Sequence, residues 1–297
     1  MSHGHHHTEP NKKKLLFSVL LNAIITLAEF VGGILSNSLA LLSDAVHNLS
    51  DTLAILISYI AMIIGKKDST PKNTFGFKRI EILAALFNAV VLIAISIYLF
   101  YEAYQRFLNP EPIKGKLMFI VATIGFLGNI ISVILLHKDS SHNLNVRSAY
   151  MHLIGDTFSS VGVIIGSILI YFWNITWIDP LLTIIIGIVI IKATWGIIKE
   201  TLEILMQASP ENLNLEKIKV ELEKHPEINN IHHIHAWSLS DNITHFQCHA
   251  DLKDNKTIKE VDIIRNELEK ILYEKFKINH ITIQMEHYSC NPNLKTF

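Results

Sequence analysis

Cysteine is nearly missing from this chain. Among 297 residues only Cys248 and Cys290 carry a thiol, which excludes a disulfide framework and suits a reducing compartment for the segment that holds them. No stripe of lysine and arginine stands out and the formal net charge is −1, so no nucleic-acid partner is expected. His-Glu-x-x-His does not occur, which removes the usual signature of a zinc hydrolase. No small-residue cleavage pattern follows the first apolar stretch, so that stretch reads as retained in the protein and not as a signal peptide.

Long apolar runs dominate what remains, up to about residue 208. Six membrane spans are expected at 15–35, 39–64, 80–104, 117–137, 146–172 and 177–198, each long enough for a hydrocarbon core of ~30 Å at ~1.5 Å per residue. Lys12, Lys13 and Lys14 precede span one, and Lys66, Lys67, Lys72, Lys78 and Arg79 cluster after span two. Lys138 and Arg147 flank the loop after span four, and Lys199 follows span six, whereas the loops after spans one and five carry no base. This alternation predicts both termini in the cytoplasm. Arg106, Lys114 and Lys116 in the loop after span three fit it less well. Beyond residue 208 the chain turns polar, with 11 Lys/Arg and 14 Asp/Glu over 209–297. The expected organisation is a histidine-containing tail (1–14), a six-helix transmembrane domain (15–208) and a C-terminal domain (209–297).

Two words inside the spans share one grammar: His47-Asn48-Leu49-Ser50-Asp51 and His152-Leu153-Ile154-Gly155-Asp156. Four residues on a helix advance about 400°, so each histidine and aspartate lie on one face, a turn apart. Such groups are costly in a bilayer unless they bind something or each other. Two pairs supply two nitrogens and two oxygens, which suits one tetrahedral divalent metal. Asn22, Glu29, Asp44 and Asn129 read either as interhelical hydrogen-bonding groups or as support for the ligands and a proton path. Ser159 and Ser160 are expected to bond to backbone carbonyls. Gly32, Gly33, Gly155, Gly162 and Gly166 would let helices approach closely.

The C-terminal segment reads as helix (213–224), strand (229–239), strand (243–252), helix (257–276) and strand (280–287). Leu213, Ile218 and Leu222 stripe the first helix, and Val261, Ile264 and Leu268 the second. Strand alternation separates His232 from His233 and His235. The N-terminal His3, His5, His6 and His7 are a weak metal-collecting signal.

The strings Asn37 to His47, Phe75 to Glu81, Asn143 to His152, Asp179-Pro180, His232 to Trp237 and Thr282 to Glu286 resemble the cation diffusion facilitator family, most closely its bacterial zinc/cobalt/cadmium-resistance branch. The likeness covers nearly the whole chain beyond residue 14. It implies an α-helical membrane protein of six transmembrane helices plus a cytoplasmic α+β ferredoxin-like domain, assembled as a homodimer in a bilayer. It implies one transported Zn²⁺ held by His47, Asp51, His152 and Asp156 between spans two and five, leaving the cytosol as protons enter. His47, where relatives also use Asp, tends to accompany zinc preference over cadmium. His232, His249 and Glu286 match positions that bind a regulatory metal in relatives. Asp262 and Gln284 replace histidines of one subgroup, so its two-metal cluster is not expected, although Cys290, His287 or the N-terminal histidines could complete a different site. The loop over 65–79 has no histidine, with Lys78 where certain relatives carry one, so a further loop site is not expected. His137 and His142 read as solvated.

The expectation is therefore a Zn²⁺/H⁺ antiporter of the bacterial inner membrane and not an enzyme, since a closed set of four protein ligands leaves no position for water. A membrane-anchored zinc sensor, or a broader transporter of Co²⁺, Cd²⁺ or Fe²⁺, is the alternative.

Overall fold

The computed structural model describes residues 12–65, 67–140, 144–240 and 243–287. The N-terminal histidines, His142 and Cys290 lie outside the described residues. Six long helices come first: α1 (Lys12–Ser36), α2 (Leu39–Gly65), α3 (Ile80–Leu108), α4 (Gly115–Ser140), α5 (Leu144–Trp173) and α6 (Ile178–Leu205). Among the described residues, α2 to α6 contain stretches long and apolar enough to cross a membrane, and α1 contributes the shorter apolar stretch Leu20–Ser36.

These helices reverse the polarity of a soluble protein. Ile24, Phe87, Ile134 and Val189 are 66%, 66%, 68% and 63% exposed, while Glu29, Asn129 and Asp179 are at 1%, 0% and 0%. Apolar side chains can face lipid without cost, so the helix faces turned inward are the polar and small ones. On α4, Gly125 and Gly128 permit the approach of α1, because a Cβ on either would overlap Glu29 or Ile25.

Asp179, at the start of α6, secures the start of α2. Its carboxylate accepts from Ser38 Oγ (2.5 Å), Leu39 N (2.8 Å) and Ala40 N (3.2 Å), supplying the free N–H groups of that helix end from another helix. Arg106 donates to the carbonyl (2.6 Å) and side-chain oxygen (2.9 Å) of Asn37, which turns the chain between α1 and α2 at φ 60°. The guanidinium also lies 3.5 Å from Glu102 and 3.6 Å from Glu111.

The chain divides into two compact units, one of Met1–Tyr59 with Phe87–Ile197, the other of Ile60–Leu86 with Ile198–Phe297. In the second, α7 (Leu215–Leu222), β1 (Ile228–Ser240), β2 (Ile243–Leu252), α8 (Ile258–Phe276) and β3 (His280–Glu286) follow in order. The sheet runs β1-β2-β3, with β1 antiparallel to β2 and β2 parallel to β3. The crossover between these two parallel strands is made by α8, which begins with a capping box between Thr257 and Glu260. Ile218, Leu222, Phe246, Cys248, Leu268 and Leu272 fill the core. Burial pushes the Cys248 thiol up to about 12, so it stays protonated at neutral pH.

Candidate metal centres

Helices α2 and α5 bring all four residues of the paired words together. His47 Nε2 lies 3.6 Å from Asp51 Oδ2 on α2, and His152 Nε2 lies 3.5 Å from Asp156 Oδ2 on α5. Across the helices, His152 Nε2 is 3.0 Å from Asp51 Oδ2, and the two imidazoles meet edge to face at 5.6 Å. Zinc bonds of ~2.1 Å in a tetrahedron leave neighbouring ligand atoms roughly 3.4 Å apart, close to these three contacts; His47, His152 and Asp156 offer atoms all within 4.8 Å of one another, and Asp51 joins them through the two histidines. His47 Nδ1, Asp51 Oδ2, His152 Nε2 and Asp156 Oδ2 are shielded from solvent and have no aligned hydrogen-bond partner among the described residues. The 3.0 Å contact is thus close but misdirected for a hydrogen bond. Unpartnered polar atoms at this depth cost several kcal/mol in hydrocarbon, about 1–3 each by protein mutation, and a shared cation would satisfy Asp51 Oδ2, His152 Nε2 and Asp156 Oδ2 together.

A cavity of ≈ 400 Å³ opens beside them, with Asp44, His47, His152 and Asp156 on one side and Ile186 and Val189 of α6 on the other. Gly155 lines it with nothing within 4 Å of a would-be Cβ. It keeps space free, whereas close helix approach was the expectation; Gly32 and Gly166 do fill that role, against Val121 and Leu182.

Support comes from residues one turn away. Ser159 Oγ donates to Asp44 Oδ1 at 2.7 Å, tying α5 to α2. A backbone role was expected for both serines; Ser160 has it, donating to the carbonyl of Asp156 at 2.9 Å, and Ser159 does not. Glu29 accepts from Asn48 Nδ2 at 3.3 Å, which joins α1 to the helix carrying His47. Asn129 is wholly buried, and both its side-chain polar atoms are unpartnered among the described residues.

A second cluster forms on the small sheet. His232 and His249 pair across β1 and β2, and Glu286 reaches them from β3, 2.7 Å from His249 Nδ1 and 3.5 Å from His232 Nε2. His233 joins them, against the expectation from alternation. The register of β1 shifts between His232 and His235, and His233 adopts φ 49°, so a bulge turns its ring back toward its neighbour's face. The rings of His233 and His249 lie 4.8 Å apart, and the three histidines offer nitrogens within 4.8 Å of one another. His235 remains exposed. The doublet His232-His233 is the one trace of this in the sequence, since neither residue marks a bulge. Burial, reinforced by the nearby His233 and His249 and opposed by Glu286, holds His232 below its ordinary value, which favours the neutral imidazole that binds metal.

Gln284 donates to Glu286 Oε1 at 2.7 Å, Asp262 pairs with Arg265 at 3.2 Å, and His287 Nδ1 sits 3.2 Å from the carbonyl of Leu252. None of these completes the cluster. His137 is exposed beside Tyr150.

The profile of the cation efflux transmembrane domain matches residues 15–206, and that of the cation efflux protein cytoplasmic domain matches 210–288. The chain belongs to the cation diffusion facilitator family. It is 41% identical to the cadmium, cobalt and zinc/H⁺-K⁺ antiporter of Bacillus subtilis (strain 168), over 95% of this chain and 92% of the relative. Identity is 37% to the metal cation efflux system protein CzcD of Cupriavidus metallidurans, over 97% and 90%, and 35% to the zinc transporter ZitB of Escherichia coli (strain K12), over 98% and 94%. As a cation diffusion facilitator, the protein combines a helical membrane domain with a cytoplasmic domain built on a small mixed sheet.

Proposed function

We propose that this cation diffusion facilitator is a secondary-active exporter that moves Zn²⁺ out of the cytosol in exchange for protons. The observation that carries the reading is the meeting of His47, His152 and Asp156, with Asp51 beside both histidines, next to a cavity within the bundle. Two imidazoles and two carboxylates must be deprotonated to hold zinc, so metal and protons compete for one set of atoms. His47 and His152 are the proton-competing ligands; Asp51 and Asp156 neutralise the charge of the ion. Exposure to the cytosol loads Zn²⁺. After the bundle opens outward, protonation of the histidines releases it, and the protonated carrier returns. Both carboxylates lack a lysine or arginine partner among the described residues, so the cation itself is their counter-charge.

Four protein ligands leave no coordination position for a reacting water, which argues for transport over catalysis. The relatives named for cadmium and cobalt support those ions as further substrates. We further propose that His232, His233, His249 and Glu286 bind a regulatory metal, that two copies assemble through the cytoplasmic domain, and that the protein sits in a bacterial inner membrane with both termini in the cytoplasm. Zn²⁺ flux into proteoliposomes under an imposed pH gradient tests the central reading. Flux should follow the gradient and vanish in Asp51→Ala and His152→Ala; undiminished flux in either variant, or indifference to the gradient, would overturn it.

A further inference from the structure

The loop between α2 and α3 carries two cations that the transport reading leaves without a task. Lys78 and Arg79 are both half-buried, and neither side chain has an ion pair or hydrogen bond among the described residues. Arg79 Nε is fully shielded and still unpartnered. Guanidinium donors are costly to bury without an acceptor. Both side chains line one pocket of ≈ 200 Å³, closed by Phe75, Gln207, Trp237 and Leu239. Its apolar wall is braced: His245, 5% exposed, stacks on Trp237 at 5.3 Å and takes the edge of Phe75 at 5.4 Å. Two left-handed residues, Gly76 (φ 68°) and Gln207 (φ 58°), turn the chain at its rim.

Among the described residues, no carboxylate lines this pocket. Two adjacent cations, a shielded unused N–H, a primary amide and an indole face form a receptor for a small oxyanion, and a guanidinium beside an ammonium suits phosphate best. The pocket also has a definite depth. Arg79 directly precedes the first residue of α3, and Gln207 lies two residues past the end of α6, both membrane helices. Residues at span ends lie at the level of phospholipid headgroups.

We propose that Lys78, Arg79, Gln207 and Trp237 form a phosphate-binding site, filled by the headgroup of an anionic phospholipid or by free phosphate. It stands apart from both histidine clusters and does not depend on the transport reading. The full-length protein is placed in nanodiscs of phosphatidylcholine with or without phosphatidylglycerol, and retained lipid is counted by native mass spectrometry. In parallel, inorganic phosphate is titrated in phosphatidylcholine alone and the melting temperature followed. Wild type should retain phosphatidylglycerol over phosphatidylcholine, each cation removed by Lys78→Gln or Arg79→Gln should weaken retention about tenfold, and Arg79→Lys should preserve most of it. Stabilisation by inorganic phosphate without lipid retention would assign the same site to a soluble anion. Lys78→Gln keeps the test open if Arg79→Gln does not fold. Equal behaviour of wild type and Lys78→Gln towards both probes would overturn the proposal. So would an equal loss in Lys67→Gln/Lys72→Gln, two lysines of the same loop that do not line the pocket.

Discussion

The two histidine clusters, both proposed metal sites, are built in two different media. In the membrane, α2 and α5 each present a histidine and an aspartate at helical spacing, and rigid backbones set the ligand distances. On the small sheet, three strands each contribute, and a bulge at His233 supplies what alternation denies. Asp156 is 4% exposed and, among the described residues, has no counter-charge beyond the histidines, whereas Glu286, at 8%, already accepts from Gln284. A site whose carboxylates depend on the cation is suited to carrying it through a cycle. One partly satisfied beforehand is suited to sensing it.

That contrast breaks first at the ligands. Asp156→Ala and His152→Ala should each lower Zn²⁺ flux by more than about 100-fold, beyond the 10–100-fold typical of losing a group that merely supports a ligand. His233→Ala should leave the maximal flux near wild type and change only its dependence on cytosolic zinc. Stopped-flow flux with a zinc-sensitive dye inside proteoliposomes reads both. If His233→Ala abolishes flux at saturating zinc, the division into carrier and sensor fails.

Next in size is the acidic member of the sheet cluster. Glu286→Gln keeps the shape and removes the charge, so zinc affinity of the cytoplasmic domain should fall by about 10–100-fold. Titration calorimetry on full-length protein already carrying Asp51→Ala isolates this site from the membrane one. An unchanged affinity would remove Glu286 from the ligand set. A smaller effect is expected at His47→Asp, where a hard oxygen replaces a nitrogen. Cadmium flux should gain on zinc flux, and an unchanged ratio would separate selectivity from this position.

The same contrast explains what could be read from residue order. A helix repeats every 3.6 residues, so the convergence of His47 with Asp51, and of His152 with Asp156, is written locally; that α2 faces α5 at the same depth follows from two matching words in apolar spans. Partnerships set by packing left weaker traces. Asp179 opens α6 visibly, yet its service to the start of α2 depends on Ser38, 141 residues earlier. Ser159 lies one position from Ser160, and only rotation about the helix axis aims one at Asp44 and the other at its own backbone. His233 defeats alternation because a bulge needs no glycine or asparagine to announce it.

The smallest expected effect concerns protons at the sheet. His232 and His245 are both held below the ordinary histidine value of ~6.5, chiefly by burial, with neighbouring histidines adding to it. In the unfolded chain each takes up a proton near pH 6.5; in the folded domain each resists until the pH is lower. Between those two points the unfolded state binds more protons, so stability falls as pH drops below about 6.5 and is level above it. Melting of the zinc-free protein, followed by the loss of sheet signal from pH 8 to pH 5, should show this decline. His245→Gln should flatten part of it whether or not zinc is present. His232→Gln should flatten the rest only without zinc, because bound metal already excludes the proton from that ring. If zinc leaves the decline in wild type untouched, His232 is not a ligand, and the sheet cluster is a hydrogen-bonded group of histidines with no sensing role.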